Sequence, residues 1–207
     1  MEKIIITIGR QLGSGGKKIA EKIGERMHLP IYDKKLLEAA AIESGLDASV
    51  FAGADERESD SFLGGLFSIH GSLSNFLSGG GSCMESDQLF QIQSEAIRNI
   101  AQRESCIIIG RCAEYVLRDQ PRMISIFITA NSDDRIRRIA RKERATEEQA
   151  RELMERGDKK RRSYHDYYAA THWGEAASYD LCINSSLLGI DGTADYICNF
   201  IRARFEL

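Results

Sequence analysis

The sequence predicts an α/β protein with a doubly wound, five-stranded, mostly parallel sheet and helices on both faces of that sheet. Two observations predict this fold class. Short apolar runs alternate with helical patterns along most of the 207 residues, which is the order produced by parallel strands joined through helical crossovers. The runs that begin near residues 4, 106 and 123 are apolar at consecutive positions, as in strands that helices cover on both faces.

Five short runs rich in apolar, mostly β-branched residues are predicted as strands: residues 4–8, 29–33, 106–110, 123–130 and 179–185. Helical patterns occupy about residues 17–27, 88–103, 112–118, 132–142, 146–168 and 192–205, and Gly157 is expected to break the fifth of them. The carboxyl ends of parallel strands meet at one edge of a sheet, where ligands bind. The polar residues that follow the strands therefore form a candidate site: Arg10, Asp33, Arg111, Asn131 and Ser185.

The chain length predicts a single domain over residues 1–207. Residues at about 43–87 do not follow the alternation of strands and helices, and we interpret them as an insertion or lid. Apolar residues recur there at helical spacing among glycines and serines, and "SGGGS" at 78–82 is typical of a connector. Two interpretations remain open: a lid over the site, or a segment that contacts a second copy in a homodimer.

Composition limits the classes of partner. The net charge of −3 disfavours a nucleic-acid polymer, and no apolar run approaches the ~18 residues that cross a membrane. Five cysteines without a C-x-x-C pair indicate reduced thiols in a cytoplasmic protein, and the histidines show no metal-ligand spacing. Residues 131–165 hold 12 Lys and Arg against 8 Asp and Glu. A basic segment in an acidic protein favours a small anionic ligand.

The glycine-rich turn after the first strand has the features of a phosphate-binding loop. Successive amides can surround an anion there, and the helix N-terminus adds partial positive charge. The usual spacing G-x-x-x-x-G-K-[ST] is not met, because the first lysine comes one residue late. The alternative is a strand–helix turn that binds nothing. The predicted phosphate-binding residues are Gly13, Ser14, Gly15, Gly16, Lys17 and Lys18.

Two further groups of cations accompany this loop. Arg111 follows the strand "CIII" and offers a planar fork of donors for a phosphate or a carboxylate, although a structural ion pair is the alternative. A basic cluster follows Gly157, and we interpret residues at about 144–172 as an arginine-rich lid that neutralises a transferred phosphoryl group. The alternative is a solvated helix face.

Together these segments resemble the cytidylate kinase-like family of P-loop proteins, and within it a branch with an altered glycine loop. The resemblance rests on "ITIGRQLGSGGKKIAEKIGERMHLPIYDKKLL", "IIIGRCAEYVL", "RKERATEEQARELMERGDKKRRSYHDYYAATHWG" and "YDLCINSSLLGIDG". It implies the fold of P-loop nucleoside-triphosphate hydrolases. It also implies ATP- and Mg²⁺-dependent phosphoryl transfer to a nucleoside monophosphate such as CMP or dCMP, or to a related small acceptor.

The resemblance also assigns roles to residues. The loop from Gly13 to Lys18 would hold the ATP phosphates, and Asp33 matches an acidic position beside the acceptor. Arg111 would contact the monophosphate. Lid residues match the family's arginines and their neighbouring acid, so the implied catalytic set is Lys17, Asp33, Arg156 and Arg161, with Arg162 and Asp158 joining Arg111 and Asp33 at the acceptor.

The sequence departs from the family pattern at three positions. Gly16 stands where the loop lysine is expected, Lys18 stands at the hydroxyl position, and Cys112 replaces the aspartate of Gly-Arg-Asp. These departures favour a different acceptor as one explanation. They also support an alternative function, namely a non-catalytic protein that binds or senses a nucleotide.

Overall fold

The computed structural model describes residues 3–34, 36, 39 and 82–207. In these ranges the chain forms one five-stranded sheet in the order β2-β3-β1-β4-β5, with every neighbouring pair parallel. The predicted α/β class and the five predicted strands are confirmed. The strands are β1 (Ile5–Arg10), β2 (Ile31–Tyr32), β3 (Cys106–Ile109), β4 (Met123–Thr129) and β5 (Leu181–Asn184).

Helices occupy all the regions where the sequence predicts them. They are α1 (Gly16–Met27), α2 (Ser82–Arg103), α3 (Ala113–Val116), α4 (Ser132–Glu143), α5 (Glu147–Tyr168) and α6 (Ser185–Phe205). Helix α6 begins seven residues before the predicted start, because Asn184 caps it by accepting a hydrogen bond from the Ser186 amide. It bends at Gly189, whose φ of 67° is not helical.

The expected break at Gly157 is wrong, since α5 runs through it without interruption. Glycine is needed there for packing. A Cβ at Gly157 would lie 2.7 Å from Cδ2 of Leu12, so the missing side chain lets α5 approach the loop after β1. The start of α5 follows from a capping box, in which Thr146 and Gln149 exchange hydrogen bonds between side chain and backbone.

The core lies between the sheet and its helices. The strands contribute consecutive buried isoleucines, and Ile6 and Ile8 of β1 are fully buried. Helix α1 presents Ile19, Ala20 and Ile23 to this core, the face that its periodicity predicts. The central position of β1 between β3 and β4 therefore fixes the loop that follows it at the middle of the sheet edge.

The chain divides into two compact units, residues 1–34 with 97–207 and residues 35–96. The sheet belongs to the first unit. Most of the predicted insertion, residues 43–81, lies outside the described residues, so its role stays a prediction. Along the described ranges, no helix has both the length and the apolarity to cross a bilayer.

Candidate functional site

The loop between β1 and α1 has a backbone that requires glycine. Gly13 and Gly15 have φ angles of 77° and 79°, in the left-handed region. A Cβ at Gly13 would lie 2.7 Å from the carbonyl oxygen of Arg135, and a Cβ at Gly15 would lie 2.3 Å from Cδ1 of Ile190. The loop is therefore packed against α4 and α6: the backbone of Arg135 leaves no room for a side chain at Gly13, and the left-handed φ disfavours one at Gly15.

The carbonyl groups of this loop are held by side chains from α4 and α6. Each of three successive carbonyl oxygens accepts a hydrogen bond: Leu12 from Nε of Arg135 at 2.7 Å, Gly13 from Nη1 of Arg138 at 3.2 Å, and Ser14 from Oγ of Ser185 at 2.6 Å. Because the carbonyl groups face α4 and α6, the amides on the other side of the loop are available to a ligand. Between residues 11 and 19, the amides of Gly13, Gly15, Lys17 and Lys18 have no acceptor among the described residues.

Asp158 of α5 supports the same loop. Its Oδ1 accepts a hydrogen bond from the Leu12 amide at 2.8 Å, and its Oδ2 pairs with the buried Arg135. The structure thus places Asp158 behind the loop, in contact with protein groups through both oxygens. Its role at the acceptor, which the family resemblance implies, stays a prediction.

Three arginines gather at the carboxyl edge of the sheet, and we call Arg10, Arg111 and Arg161 the arginine cluster. Nη1 of Arg161 donates a 2.9 Å hydrogen bond to the carbonyl oxygen of Arg10. Burial, and after it the charges of Arg161 and Arg111, lower the pKa of Arg10 to about 9 against the opposing effect of Asp33. Burial likewise lowers the pKa of Arg161. Among the described residues, no hydrogen-bond or ion-pair partner occupies the guanidinium of Arg10.

Lys17 and Asp33, both predicted as catalytic, meet at this edge. Nζ of Lys17 lies 3.0 Å from Oδ2 of Asp33. The lysine side chain is 66% exposed and the aspartate 27%. The pair lies at the surface, so water screens it and it can separate at small cost when a ligand competes for either partner.

The turn that carries Arg111 is conformationally strained. Gly110, Arg111 and Cys112 have consecutive φ angles of 74°, 60° and 53°, a conformation that costs a residue with a side chain about 1 kcal/mol or more. The guanidinium of Arg111 lies over the ring of Tyr164, 5.5 Å from its centroid. Cys112 is buried, and burial raises its thiol pKa well above the usual range. Cys112 therefore offers no ionised group to a ligand.

The structure does not bring Arg156 or Arg162 to the arginine cluster. Arg156 pairs with Glu152 at 3.2 Å on the exposed surface of α5, two residues and about 200° around the helix from Asp158. The guanidinium of Arg162 lies 5.8 Å from the ring centroid of the buried Trp173. Among the described residues, Arg161 is the one predicted lid arginine that hydrogen-bonds to the end of β1, through the carbonyl oxygen of Arg10.

Sequence reasoning missed the residues that hold the loop from behind. Arg135 and Arg138 share one face of α4 with the buried Ile139. Their i, i+3 spacing with an apolar neighbour was the available signal, because a buried arginine needs acceptors such as loop carbonyls. The sequence predicts Ser185 at the sheet edge, but no pattern in it indicates that Ser185 bonds the loop.

The described residues fit the phosphates of a nucleotide better than they fit a metal ion. Free amides, a helix N-terminus and the arginine cluster together provide donors and positive charge for an anion. Counted from Gly15, the spacing G-x-x-x-x-G-K-[ST] puts the hydroxyl position at Lys17 and not, as predicted, at Lys18, so this position offers Mg²⁺ no hydroxyl; Asp33 is already paired with Lys17. No group of three or more His, Cys, Asp or Glu side chains with metal-site geometry occurs within the described ranges.

Comparisons with known proteins agree with this geometry. The model of the cytidylate kinase-like family matches residues 5–187. A cytidylate kinase of Haloarcula marismortui is 33% identical over 104 residues, which are 49% of this chain and 53% of that protein. The chain thus spans about half the length of this curated relative.

Solved structures extend the likeness over nearly the whole chain. An uncharacterized protein from Eubacterium ventriosum is 30% identical with a TM-score of 0.72, covering 96% of this chain and 98% of that one. A shikimate kinase from Bacteroides thetaiotaomicron shares the fold alone, at 12% identity and a TM-score of 0.53 over 99% of both chains. The chain belongs to the cytidylate kinase-like family.

Proposed function

We propose that the protein transfers the terminal phosphoryl group of ATP to a nucleoside monophosphate of the CMP or dCMP kind, or to a related small acceptor. The observation that carries this proposal is the arginine cluster beside the free amides of the glycine loop. Arg10, Arg111 and Arg161 come from three separate elements and converge at the edge where parallel sheets bind ligands.

The charges at this edge favour a multiply charged anion. Two carboxylates act on these cations: Asp33 pairs with Lys17 and acts on Arg10, and Asp158, which is already paired with Arg135, acts on Arg161. Burying and gathering these cations has a cost: burial, and after it the charges of Arg161 and Arg111, lower the pKa of Arg10. A triphosphate and a monophosphate bound side by side would offset that cost, and the same cations would stabilise charge on the phosphoryl group in transit.

The proposed step is a displacement at the terminal phosphorus of ATP. An oxygen of the acceptor forms a new P–O bond, while the bond to the bridging oxygen breaks and its electron pair leaves with ADP. A monophosphate acceptor attacks through an oxygen that is already ionised at neutral pH, so no base is needed. A hydroxyl acceptor would have to lose a proton, and Asp33 is the carboxylate in position to take it.

Mg²⁺, when bound with ATP, would neutralise phosphate charge. Asp33 is the carboxylate of this edge that would reach it, after releasing Lys17.

The direct test is an assay of phosphoryl transfer from ATP to each common nucleoside monophosphate, with Mg²⁺ present. We expect turnover with at least one pyrimidine monophosphate, and a loss of at least about 100-fold in Lys17→Ala and Arg161→Ala. Lys22→Ala is the matched control, because Lys22 lies on the same helix but pairs with Asp191. ATP binding without turnover of any monophosphate would remove the acceptor part of the proposal.

A second candidate function is nucleotide binding without catalysis. The observation that favours it is the pairing of Lys17 with Asp33, together with a lysine at the hydroxyl position of the loop. Such a protein would bind ATP but give no transfer to any acceptor, and Lys17→Ala would change affinity alone. Binding and turnover measured on the same preparation therefore separate the two functions.

A further inference from the structure

We infer that Arg10 supplies the phosphate-binding cation that a lysine supplies in the usual loop. Compared with the usual motif, the long cationic side chain and the glycine have exchanged positions. The inference rests on the proposed nucleotide binding and names the residue responsible for it. It differs from the assignment of that role to Lys17, the nearest lysine in the sequence.

The exchange is visible when the motif is aligned on Gly15. In G-x-x-x-x-G-K, the first glycine stands five residues before the second, and the lysine follows the second directly. With Gly15 as the second glycine, Arg10 occupies the position of the first glycine and Gly16 occupies that of the lysine. The loop thus keeps one glycine and one long cationic side chain, but the cation stands at the first-glycine position and the glycine at the lysine position.

The geometry explains why both positions differ together. A Cβ at Gly16 would lie 2.7 Å from Cβ of Arg10 and 3.0 Å from its Cγ. Real Cβ atoms do not approach so closely, and the contact is with the base of the side chain, which cannot rotate away. Positions 10 and 16 therefore accommodate one side chain between them. A lysine at 16 requires a glycine at 10, and an arginine at 10 requires a glycine at 16.

The side chain of Arg10 also points towards the proposed phosphate site. Its stem passes Gly16 at the start of α1, and Nη1 reaches the end of β3, 2.3 Å from where a Cβ of Gly110 would be. Its guanidinium therefore lies between the glycine loop and the turn of Arg111. Within the described ranges its guanidinium makes no hydrogen bond or ion pair, although the charge of Asp33 acts on it, whereas the ammonium of Lys17 already contacts Asp33.

The first experiment is calorimetric titration of the full chain with ATP and with inorganic tripolyphosphate. Arg10→Met keeps the stem and removes the charge, and we expect it to weaken both ligands by about 10- to 100-fold. Lys17→Met should weaken them less, and the control Lys22→Met should bind as the wild type does. The inference is overturned if Arg10→Met binds as tightly as Lys22→Met.

The second experiment restores the usual order of the motif. Gly16→Lys alone should lower the melting temperature, because its side chain meets that of Arg10. The double variant Arg10→Gly/Gly16→Lys should regain that loss relative to Gly16→Lys, and should bind tripolyphosphate at least about tenfold more tightly than Arg10→Gly. A double variant that melts no higher than Gly16→Lys, or binds no better than Arg10→Gly, would overturn the inference.

Binding by the wild type separates a failure of the proposed function from a failure of the role of Arg10. If it binds neither ATP nor tripolyphosphate, the proposed function fails and the role of Arg10 fails with it. If it binds both and the variants of Arg10 bind equally well, only the role of Arg10 is wrong.

Discussion

The backbone amide of Leu12 donates a 2.8 Å hydrogen bond to the side chain of Asp158, 146 residues later in the chain. The other oxygen of that carboxylate pairs with Arg135, which itself donates to the Leu12 carbonyl at 2.7 Å. Both polar groups of one loop residue are therefore fixed by a buried ion pair between α4 and α5. The glycine loop owes its shape to these helices as much as to its own glycines.

We expect Asp158→Ala to lower the free energy of unfolding by about 3 to 5 kcal/mol. The side chain of Arg135 is 6% exposed, so removing its partner leaves a buried charge without compensation and frees the Leu12 amide. Urea denaturation measures the effect. Glu152→Ala, which breaks an exposed pair on the same helix, should change stability by less than about 0.5 kcal/mol. Equal costs for the two variants would contradict the proposed support of the loop.

The arginines of α5 give a matched pair of variants for activity. Arg161→Ala removes a guanidinium that donates to the Arg10 carbonyl, and we expect turnover to fall by about 100-fold or more. Arg156→Ala removes a guanidinium that pairs with Glu152 on the exposed surface, and we expect turnover within about threefold of wild type. Steady-state kinetics of both variants shows which of the two arginines contributes to turnover. A larger loss in Arg156→Ala would favour the role that the sequence predicted for it.

Lys17→Ala should leave stability almost unchanged. The pair with Asp33 is exposed, and such pairs contribute about 0 to 1 kcal/mol. Thermal melts without ligand would therefore nearly coincide for variant and wild type. This result would show that any loss of turnover in Lys17→Ala is a loss of chemistry or binding and not of folding. A large drop in melting temperature would instead assign the lysine a structural role.

The sequence was sufficient for the fold because the strands are runs of isoleucine whose burial leaves few alternatives. Apart from Thr7 and Ser125, the buried positions of β1, β3 and β4 are apolar on both faces of the strand, as in a sheet that helices cover on both sides. Gly157 was misjudged because its effect is tertiary. Helix propensity treats glycine as a breaker, but here the close approach of Leu12 makes glycine the residue that fits.

The site was only partly predictable, since strand ends can be read from the sequence but partners across the fold cannot. The approach of Asp33 to Lys17 follows from their positions after β2 and at the start of α1. The contact between Asp158 and Leu12 joins residues far apart in the chain, and no local pattern indicates it. The clash between side chains at positions 10 and 16 likewise depends on backbone distances that only the folded loop defines.

Behind the strained turn of Arg111, the buried His165 of α5 lies between two carboxylates. Its Nε2 is 2.9 Å from Oε1 of Glu114, and its Nδ1 is 3.1 Å from Oδ1 of Asp166. The same oxygen of Asp166 accepts a 2.8 Å hydrogen bond from the amide of Trp173. The imidazole thus lies between a carboxylate of α3 and a carboxylate at the end of α5 that also holds the following segment.

We expect this link to make stability depend on pH. Burial opposes the charged imidazole, but Glu114 and Asp166 outweigh it, so the pKa of His165 is raised above 6.5. A raised pKa in the folded state gives stability that is fully present below about pH 6.5 and is lost as pH rises through the folded-state pKa. Burial raises the pKa of the neighbouring Cys112 and Tyr179 far above this range, so neither of them titrates in it.

The measurement is the free energy of unfolding in urea at intervals between pH 5.5 and 9, for wild type and for His165→Gln. Stability of the wild type should decline with rising pH more steeply than that of the variant, because glutamine can donate to a carboxylate but carries no titrating charge. The other three histidines are common to both proteins, so their contributions cancel in the difference. Parallel pH profiles for the two proteins would show that His165 is neutral in the fold, and that Glu114 and Asp166 are not held by an imidazolium.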